Sequence, residues 1–510
     1  MTAFITRRVL VSILVLLGAS FIMYILTTLA GDPLEDLRQS RNPNRDQLIA
    51  ERTSALMLNV PAPLRFFLWL GGAAKCLVPF AGACDLGVNR SGQQVTELLV
   101  RAMGSTIQLV TTAVILAIIV GITTGIVSAL RQHTGFDNGM TFISFLLYSL
   151  PSFWVAILLK EYVAIGYNDF LADPEIPLIT TVVIALVAGL IWQTLVGGDL
   201  RRRLIVFGVS AVSTALVLVY FTLTDWFADP GLGPIVIAAG SIGIALGVVA
   251  LIAGLHNRSA LLTAGIVAAI TVVAYFAVQN LLDISSVPTV VILALITVVV
   301  GLAVGFLVRG PDRGLYMRVG ALTAFLSASL IVVDRLMQAW PEYTSAIGGR
   351  PVATVGSQTP GLGGDIWVQG VDSFTHLLLP TLTLMLISFA SYTRYSRSGL
   401  LDVLNQDYIR TARAKGMPER VVIVRHAFRN SLIPIATLIA TDFGALLGGA
   451  IITEQVFAFA GMGALFQRGV DTVDPNPVMA YFVIIAAMTI IFNFVADMTY
   501  SALDPRVRTR

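Results

Sequence analysis

Apolar residues occur along the chain in about twelve runs, each close to 20 residues long. A helix rises about 1.5 Å per residue, so a run of this length crosses the hydrocarbon layer of a membrane. The pattern therefore predicts about twelve transmembrane helices. The predicted spans are Val9–Ala30, Thr106–Leu130, Met140–Ala164, Pro177–Val196, Leu204–Thr224, Pro234–Leu255, Ala260–Val278, Pro288–Val308, Met317–Met337, Phe374–Tyr395, Ile433–Thr453 and Val478–Leu503.

The first run could also be a secretory signal peptide, because Arg7 and Arg8 precede it. It is longer than a signal sequence and ends in Leu-Ala-Gly-Asp-Pro, without a small-x-small cleavage site. We expect an uncleaved membrane anchor.

Composition and charge support this topology. Hydrophobic residues make up 56% of the 510-residue chain and charged residues only 12%, about half the charged fraction of soluble domains. The short loops Asp225–Gly233 and Gln279–Val287 contain no Lys or Arg. Because basic residues concentrate in cytoplasmic loops, both termini are predicted to be cytoplasmic. The basic residues on that side are Arg131, Arg201, Arg202, Arg203, Arg258, Arg309, Arg313, Arg318, Arg506, Arg508 and Arg510.

Two long segments are predicted on the extracytoplasmic side. Residues 31–105 contain the amphipathic stretch Leu64–Leu70, which is either a helix packed on the membrane or bundle, or a docking surface for an external partner. Cys76 and Cys84 lie in the same segment, and a disulfide is favoured over two free thiols. The second segment, Ala339–Ser373, is rich in Gly and Thr and is predicted to be a loop.

The cytoplasmic segment 396–430 is too structured for a simple connection. Asp402–Lys415 is predicted to be helical, and Gly416 can close that helix in the left-handed conformation. Pro418 suits the first turn of a second short helix, and Pro434 suits the start of the next span. Eight basic residues stand against three acidic ones from Arg394 to Arg429. The positive-inside bias explains the excess of basic residues but not the two projecting helices. Two such helices indicate a docking site for a soluble partner.

The residues of this segment carry a family resemblance. Residues 407–416, Asp-Tyr-Ile-Arg-Thr-Ala-Arg-Ala-Lys-Gly, and 425–434, Arg-His-Ala-Phe-Arg-Asn-Ser-Leu-Ile-Pro, resemble the EAA loop of ABC importer permeases of the dipeptide, oligopeptide and nickel branch. The Glu-Ala-Ala motif that names the loop aligns with Arg410-Thr411-Ala412, so the general motif is not kept. A second departure is Ala460, which stands where that branch is expected to have proline. Further similar stretches begin at Arg7, Leu150, Gly448, Glu454, Asp497 and Leu503, so that the resemblance covers residues 1–165 and 365–510.

The resemblance implies an all-α integral membrane permease with six core spans, in a bacterial cell membrane, for dipeptides or oligopeptides. It implies a second homologous permease subunit, two ABC ATPase subunits that bind ATP and Mg, and an extracytoplasmic substrate-binding protein. No metal site and no nucleic acid partner are expected in this chain. The residues that the resemblance assigns to the ATPase-coupling loop are Asp407, Tyr408, Arg410, Thr411, Ala412, Ala414, Lys415, Gly416, Arg425 and His426.

The chain is not expected to be an enzyme. It has three lysines, Lys75, Lys160 and Lys415, and none follows the glycine that a Walker A motif requires. A stand-alone secondary transporter and a membrane scaffold remain the alternatives. The sequence does not distinguish a peptide cargo from a metal chelate or haem.

Residues 166–340 depart from the family pattern. They add about six spans between the core segments 1–165 and 341–510, and an even number keeps the later spans in their orientation. We interpret the insertion as a peripheral helical bundle, with a second transport path as the alternative. Its small residues suit close helix packing; they are Gly240, Gly243, Gly247, Gly301 and Gly305.

Polar residues inside predicted spans are costly and so informative. Asp442 lies within one predicted span, and Asn493 and Asp497 lie four residues apart within another. Each either lines the transport pathway or bonds a neighbouring helix, the latter being favoured for Asp497. Glycines within other spans are expected to serve packing, and four ionisable residues at outer interfaces are expected to be solvated. The glycines are Gly121, Gly125, Gly444 and Gly448, and the ionisable residues are Lys160, Glu161, Asp334 and Arg335.

Overall fold

The computed structural model describes residues 2–76, 84–308, 310 and 312–503, except for the side chains of residues 2–9, 433, 449, 497 and 500–503. Arg7, Arg8, Arg309, Arg506, Arg508 and Arg510 therefore lie outside the described side chains. Within this part of the chain the regular elements are all helices. Ten are long and apolar enough to cross a membrane, or up to twelve if two bent pairs count as spans. The predicted all-α fold with about twelve spans is confirmed.

The first part of the chain contains eight α-helices and one π-helical segment. Its predicted third span, Met140–Ala164, is broken, because the chain turns by 106° between Ser149 and Ser152. Leu150 is extended, with ψ of 132°, as residues before proline usually are. The elements are α1 Thr2–Leu29, α2 Glu35–Arg38, α3 Arg45–Ala55, α4 Ala62–Lys75, α5 Val95–Leu130, α6 Gly135–Ser149, α7 Ser152–Leu158, a π-helix at Leu159–Ile165, and α8 Gly166–Leu171.

The amphipathic stretch Leu64–Leu70 lies in α4 and packs on the bundle. Phe66 is buried against Phe21 of α1, with ring centroids 5.3 Å apart. Trp69 is buried and its Nε1 donates a hydrogen bond to the carbonyl of Leu86 at 3.0 Å. The apolar face of α4 therefore holds the connection between α1 and α5 in place.

The predicted insertion contains a hairpin of two helices and a bundle of four. In the bundle, α13 and α14 cross closely at glycines, since a Cβ on Gly301 would lie 2.4 Å from the Gly320 carbonyl oxygen. The expected packing role is wrong for Gly243 and Gly247, where no described atom lies within 4 Å of an added Cβ. The helices are α9 Leu178–Val196, α10 Leu200–Leu223, α11 Gly233–Ile252, α12 Arg258–Asp283, α13 Val287–Leu307 and α14 Arg313–Gln338.

Asp334 of α14 is buried, and its predicted solvation is wrong. Its Oδ1 accepts hydrogen bonds from the backbone N–H groups of Leu232 at 2.7 Å and Gly233 at 3.1 Å. Its Oδ2 accepts from the Tyr275 hydroxyl at 3.0 Å. The carboxylate thus satisfies donors at the start of α11 and ties three helices together. The neighbouring Arg335 pairs with Asp283 at 2.6 Å.

The last part of the chain completes the core. The predicted loop Ala339–Ser373 is partly helical, because α15 and the start of α16 lie within it. Gly121 and Gly125 of α5 face α16, as expected: a Cβ on Gly125 would lie 2.6 Å from the Thr393 carbonyl oxygen. The elements are α15 Trp340–Ala346, α16 Ile366–Leu404, α17 Asp407–Ala414, α18 Glu419–Val421, a π-helix at Val422–Phe428, α19 Arg429–Gly449, α20 Ile451–Val456, α21 Met462–Asp471 and α22 Pro475–Leu503.

Candidate functional site

The short helix α17 is attached to the ends of three long helices. Its Ile409 and Ala412 are buried in an apolar cluster with Ala129 of α5, Leu400 of α16 and Val422 of the π-helix that leads into α19. Burying these side chains fixes α17 relative to α5, α16 and α19. A force on α17 would therefore reach all three helices.

The opposite face of α17 is polar and open. We call this face, with the residues that follow it, the α17 surface; it consists of Asp407, Tyr408, Arg410, Thr411, Ala414, Lys415 and Gly416, all exposed. Ala412, which sequence reasoning placed in the coupling loop, lies on the buried face instead. The Ala412 side chain packs beneath the α17 surface and is not exposed to a partner.

Gly416 turns the chain sharply after α17. Its φ is 72°, the left-handed conformation expected from the sequence. Its N–H donates to the Arg413 carbonyl at 2.9 Å, and Arg413 pairs with Glu419 across the turn at 2.6 Å. A Cβ at Gly416 would meet no described atom within 4 Å. The position requires glycine for its backbone conformation rather than for space.

The second predicted short helix is not separate from the following span. α18, the π-helix and α19 run on from Glu419 to Gly449, with Pro434 inside the helix. The chain bends by 43° near that proline, which removes a backbone hydrogen bond and displaces the preceding turn. Asn430 donates to the Tyr408 hydroxyl at 2.8 Å, so α19 also contacts α17 directly.

Arg425 and His426 lie on this continuous segment. Arg425 is exposed, whereas His426 is half-buried and its Nε2 has no hydrogen-bond partner among the described residues. Of these two residues, only Arg425 is open to a partner.

A buried ion pair near the same end was missed by the sequence analysis. Arg397 of α16 donates to Asp137 of α6 through Nε at 2.7 Å and Nη2 at 3.0 Å. Asp137 also accepts from Ser128 of α5 and from the His133 backbone. The only signal in the sequence was a carboxylate next to a predicted span; its partner lies 260 residues away.

The polar residues of the spans have different environments. Asp442 of α19 accepts hydrogen bonds from Ser388 at 2.8 Å and Tyr392 at 2.7 Å, both on α16. Asp442 thus bonds a neighbouring helix. Asn493 is half-buried on α22, and the side chain of Asp497 lies outside the described residues.

A second buried carboxylate, Glu454, lies toward the other end of α5. It is fully buried and accepts from the Thr106 hydroxyl at 2.7 Å and the Ala464 N–H at 3.0 Å. A Cβ on Gly461 would lie 2.2 Å from its Oε1. Sequence reasoning treated Glu454 only as part of a family stretch. Its position joins α5, α20 and α21.

The cysteines lie at the end of the bundle opposite to the α17 surface. Cys76, directly after α4, and Cys84 are joined by a disulfide. The bridge closes the segment that leads from α4 toward α5, whose first turn packs in the same apolar cluster as Phe66 and Trp69.

Comparison with known proteins identifies the family. A family model described as the binding-protein-dependent transport system inner membrane component matches residues 261–509. A peptide permease protein of Brucella suis is 37% identical over 227 residues, which are 43% of this chain and 68% of the relative. The chain belongs to this family. The resemblance inferred from residues 407–416 and 425–434 is confirmed.

Other relatives match shorter segments. The oligopeptide transport system permease protein OppB of Mycobacterium tuberculosis is 41% identical over 184 residues, 36% of this chain and 55% of the relative. The glutathione transport system permease protein GsiC of Salmonella choleraesuis is 41% identical over 139 residues, 27% of this chain and 45% of the relative. The chain thus spans about half the length of these relatives. Family and architecture together make it an integral membrane component of a transport system.

Proposed function

We propose that this chain is the permease subunit of an ATP-driven importer for dipeptides or oligopeptides, and that it forms half of the translocation pathway. The observation that carries the proposal is the α17 surface. It is exposed and polar, yet Ile409 and Ala412 anchor it to the ends of α5, α16 and α19. A partner that moved α17 would move three membrane-crossing helices together, which is what coupling requires.

The partners follow from the same proposal. Two ABC ATPase subunits with ATP and Mg would bind the α17 surface, a second homologous permease would supply the other half of the pathway, and an extracytoplasmic binding protein would deliver substrate. The positive-inside rule supports cytoplasmic termini, because Arg131 and the α17 surface lie at the same end of α5. The names of the relatives, peptide, oligopeptide and glutathione permeases, support a peptide cargo.

Charge reversal on the α17 surface tests the proposal. Arg410→Glu combined with Lys415→Glu should leave membrane insertion intact, because neither residue is buried. It should lower both the recovery of co-purified ATPase subunits and the uptake of a labelled oligopeptide at least tenfold. Arg201→Glu with Arg203→Glu is the matched control, since both arginines are exposed at the start of α10. Wild-type uptake by the α17 variant would contradict the proposal.

The alternative hypothesis, a stand-alone secondary transporter, predicts uptake without partner subunits. The purified chain alone in proteoliposomes would then accumulate peptide under an ion gradient without ATPase subunits. We expect no such accumulation, and peptide uptake only when the co-purified partners and ATP are supplied.

A further inference from the structure

A cavity of about 350 Å³ opens between α6 and α16, near the end that carries the α17 surface. Nothing in the proposed transport function uses it. One wall comes from α6 and the other from α16; both contribute hydroxyl groups, and α16 also contributes two arginines. The lining residues are Thr141, Ser144, Phe145, Thr393, Arg394, Tyr395, Arg397 and Ser398.

The cavity carries one uncompensated positive charge. Arg397 is neutralised by Asp137, with Nε and Oδ1 2.7 Å apart. Arg394, in contrast, has no acidic partner among the described residues, and its buried Nε has no hydrogen-bond acceptor there. Its guanidinium lies over the Tyr148 ring at 4.0 Å and the Phe145 ring at 5.6 Å. The ring faces orient the cation but leave its N–H donors unused.

A second polar group in the cavity is also unused. Ser144 is fully buried, and its Oγ has no hydrogen-bond partner among the described residues. Buried hydroxyls in proteins are normally hydrogen-bonded, usually to a carbonyl of the preceding helical turn. Ser144 and Arg394 both line the cavity, so a single acceptor bound there is able to satisfy both groups.

The surroundings place the cavity at the level of a membrane interface. α16 has 39 residues and so is roughly 58 Å long, about 28 Å longer than the hydrocarbon layer is thick. Arg394 lies about 15 Å from its end at Leu404, close to where the hydrocarbon layer should stop. Exposed aromatic rings lie at the cavity and on the adjoining surface of α6, and two of them are tyrosines, a residue type enriched at membrane interfaces. The exposed rings are Phe142, Phe145, Tyr148 and Tyr395.

We propose that this cavity binds the phosphate of an anionic phospholipid, whose acyl chains lie along the exposed aromatic face of α6. Arg394 supplies the charge and the planar donor pair that suits phosphate oxygens. Ser144 supplies a further hydroxyl donor. The apolar rings at the mouth favour a lipid over a free anion, because a free anion would gain nothing from them.

Native mass spectrometry tests the proposal on the full chain, purified with its co-purifying partners. The probes are phosphatidylglycerol, phosphatidylcholine and inorganic phosphate. We expect one phosphatidylglycerol to be retained at least tenfold more strongly than phosphatidylcholine, with little competition from millimolar phosphate. Arg394→Gln should abolish that preference, Ser144→Ala should weaken it several-fold, and Arg394→Lys should keep part of it. Arg203→Gln, an exposed arginine on α10, should have no effect.

Four results would overturn the proposal. Equal retention of the two lipids by the wild type would remove the role of net charge. Full displacement of phosphatidylglycerol by inorganic phosphate would identify a site for small anions. If Arg394→Gln fails to fold, unchanged retention in Arg394→Lys and Ser144→Ala would place any bound lipid elsewhere. Loss of retention only when partners are present would mean that a partner subunit covers the cavity.

Discussion

At the scale of single residues, Gly416 sets the path between α17 and the helix that begins at Glu419. Its left-handed φ of 72° penalises any side chain with a Cβ by about 1 kcal/mol or more. The open space around it means that alanine adds only this backbone strain. A larger side chain would project into the region where a partner is proposed to bind.

Gly416→Leu should therefore uncouple transport while leaving membrane insertion normal. We expect uptake to fall at least tenfold and ATPase activity to lose its dependence on substrate, whereas Gly416→Ala should retain measurable uptake. Gly243→Leu is the matched control, since Gly243 is helical and no described atom lies within 4 Å of its added Cβ. Both activities are measured in proteoliposomes. Full uptake by Gly416→Leu would show that the turn is not the coupling element.

Asp442 can be tested for a structural or a pathway role. Its hydrogen bonds from Ser388 and Tyr392 join α19 to α16, and bonds to a charged acceptor contribute about 1.5–3 kcal/mol each. Asp442→Ala and Tyr392→Phe should each lower the thermal unfolding temperature, and the double variant should be less destabilised than the sum of the two. If assembled Asp442→Ala protein transports no peptide but is as stable as the wild type, a pathway role is indicated instead.

Asp474 gives the connection between α21 and α22 a dependence on pH. Its Oδ2 accepts from the Arg90 backbone N–H at 2.6 Å. Burial raises the pKa of its carboxyl to about 6, and the backbone donors and the charges of Arg90 and Arg52 offset this only in part. The folded chain therefore holds a proton between about pH 4 and 6 that the unfolded chain has released. The stability from this group is present below about pH 4 and is lost as the pH rises through 6.

The unfolding free energies of the wild type and Asp474→Asn should consequently diverge as the pH rises from 5 to 6. The wild type should lose up to about 1.4 kcal/mol per pH unit relative to the variant, since asparagine resembles the protonated carboxyl. Asp471→Asn, an exposed carboxylate nearby, should run parallel to the wild type. Thermal unfolding in detergent across this range measures the difference. Parallel curves for Asp474→Asn would mean that Asp474 does not titrate there.

At the scale of elements, hydrophobic runs predicted the number of long helices but not where they break or join. Pro151 interrupts an apolar run that was predicted to be one span. The prediction was wrong there because apolar content alone does not reveal that proline holds Leu150 in an extended conformation. Pro434 has the opposite outcome: it looks like a helix start, yet the helix runs through it with a bend. A proline can begin, break or bend a helix, and tertiary packing decides which.

The helix α4 should depend on its disulfide as well as on its apolar contacts. A loop of this length gains about 2–3 kcal/mol from closure, while Phe66 and Trp69 already hold α4. The double variant Cys76→Ser, Cys84→Ser should therefore fold, with faster amide exchange in α4 and unchanged exchange in α17. Mass spectrometry of non-reduced peptides should detect the bridged pair. Two free thiols would refute the bridge.

At the scale of the whole molecule, contacts between distant parts of the chain could not be predicted. The sequence of residues 407–434 predicted a short helix and the glycine turn that follows it, and both are present. It could not reveal that Asp137 pairs with Arg397, or that Asp334 closes the start of α11, because each carboxylate finds partners brought to it only by the fold. In the sequence, a charged residue near the end of a span is as compatible with a solvated side chain as with a buried, hydrogen-bonded one. Only the packing of the folded chain distinguishes these two environments.

The predicted insertion contacts the rest of the described chain at a few defined places. Trp367 of α16 donates through Nε1 to the Leu282 carbonyl at 2.8 Å, and Arg420 of α18 donates to the Leu251 carbonyl. In contrast, Asn168 exchanges two hydrogen bonds with Val352, so α8 and the segment after α15 pack with the core. A deletion that keeps the contacts between Asn168 and Val352 removes residues 175–338 only.

That shortened chain should still assemble and transport. Pro174 and Trp340 line one cavity of about 630 Å³, so the two ends lie on the same side of the molecule and are joined by a flexible Gly-Ser linker. We expect a lower unfolding temperature, because Trp367 loses its cover, but substrate-stimulated ATPase activity within a few-fold of the full chain. Arg420→Ala in the full chain is the companion variant, since it breaks the contact with Leu251 without removing any helix. If both variants assemble with their partners and neither shows substrate-stimulated ATPase activity, the insertion acts on the coupling segment through Arg420. If only the deletion fails, the bundle itself takes part in the transport cycle.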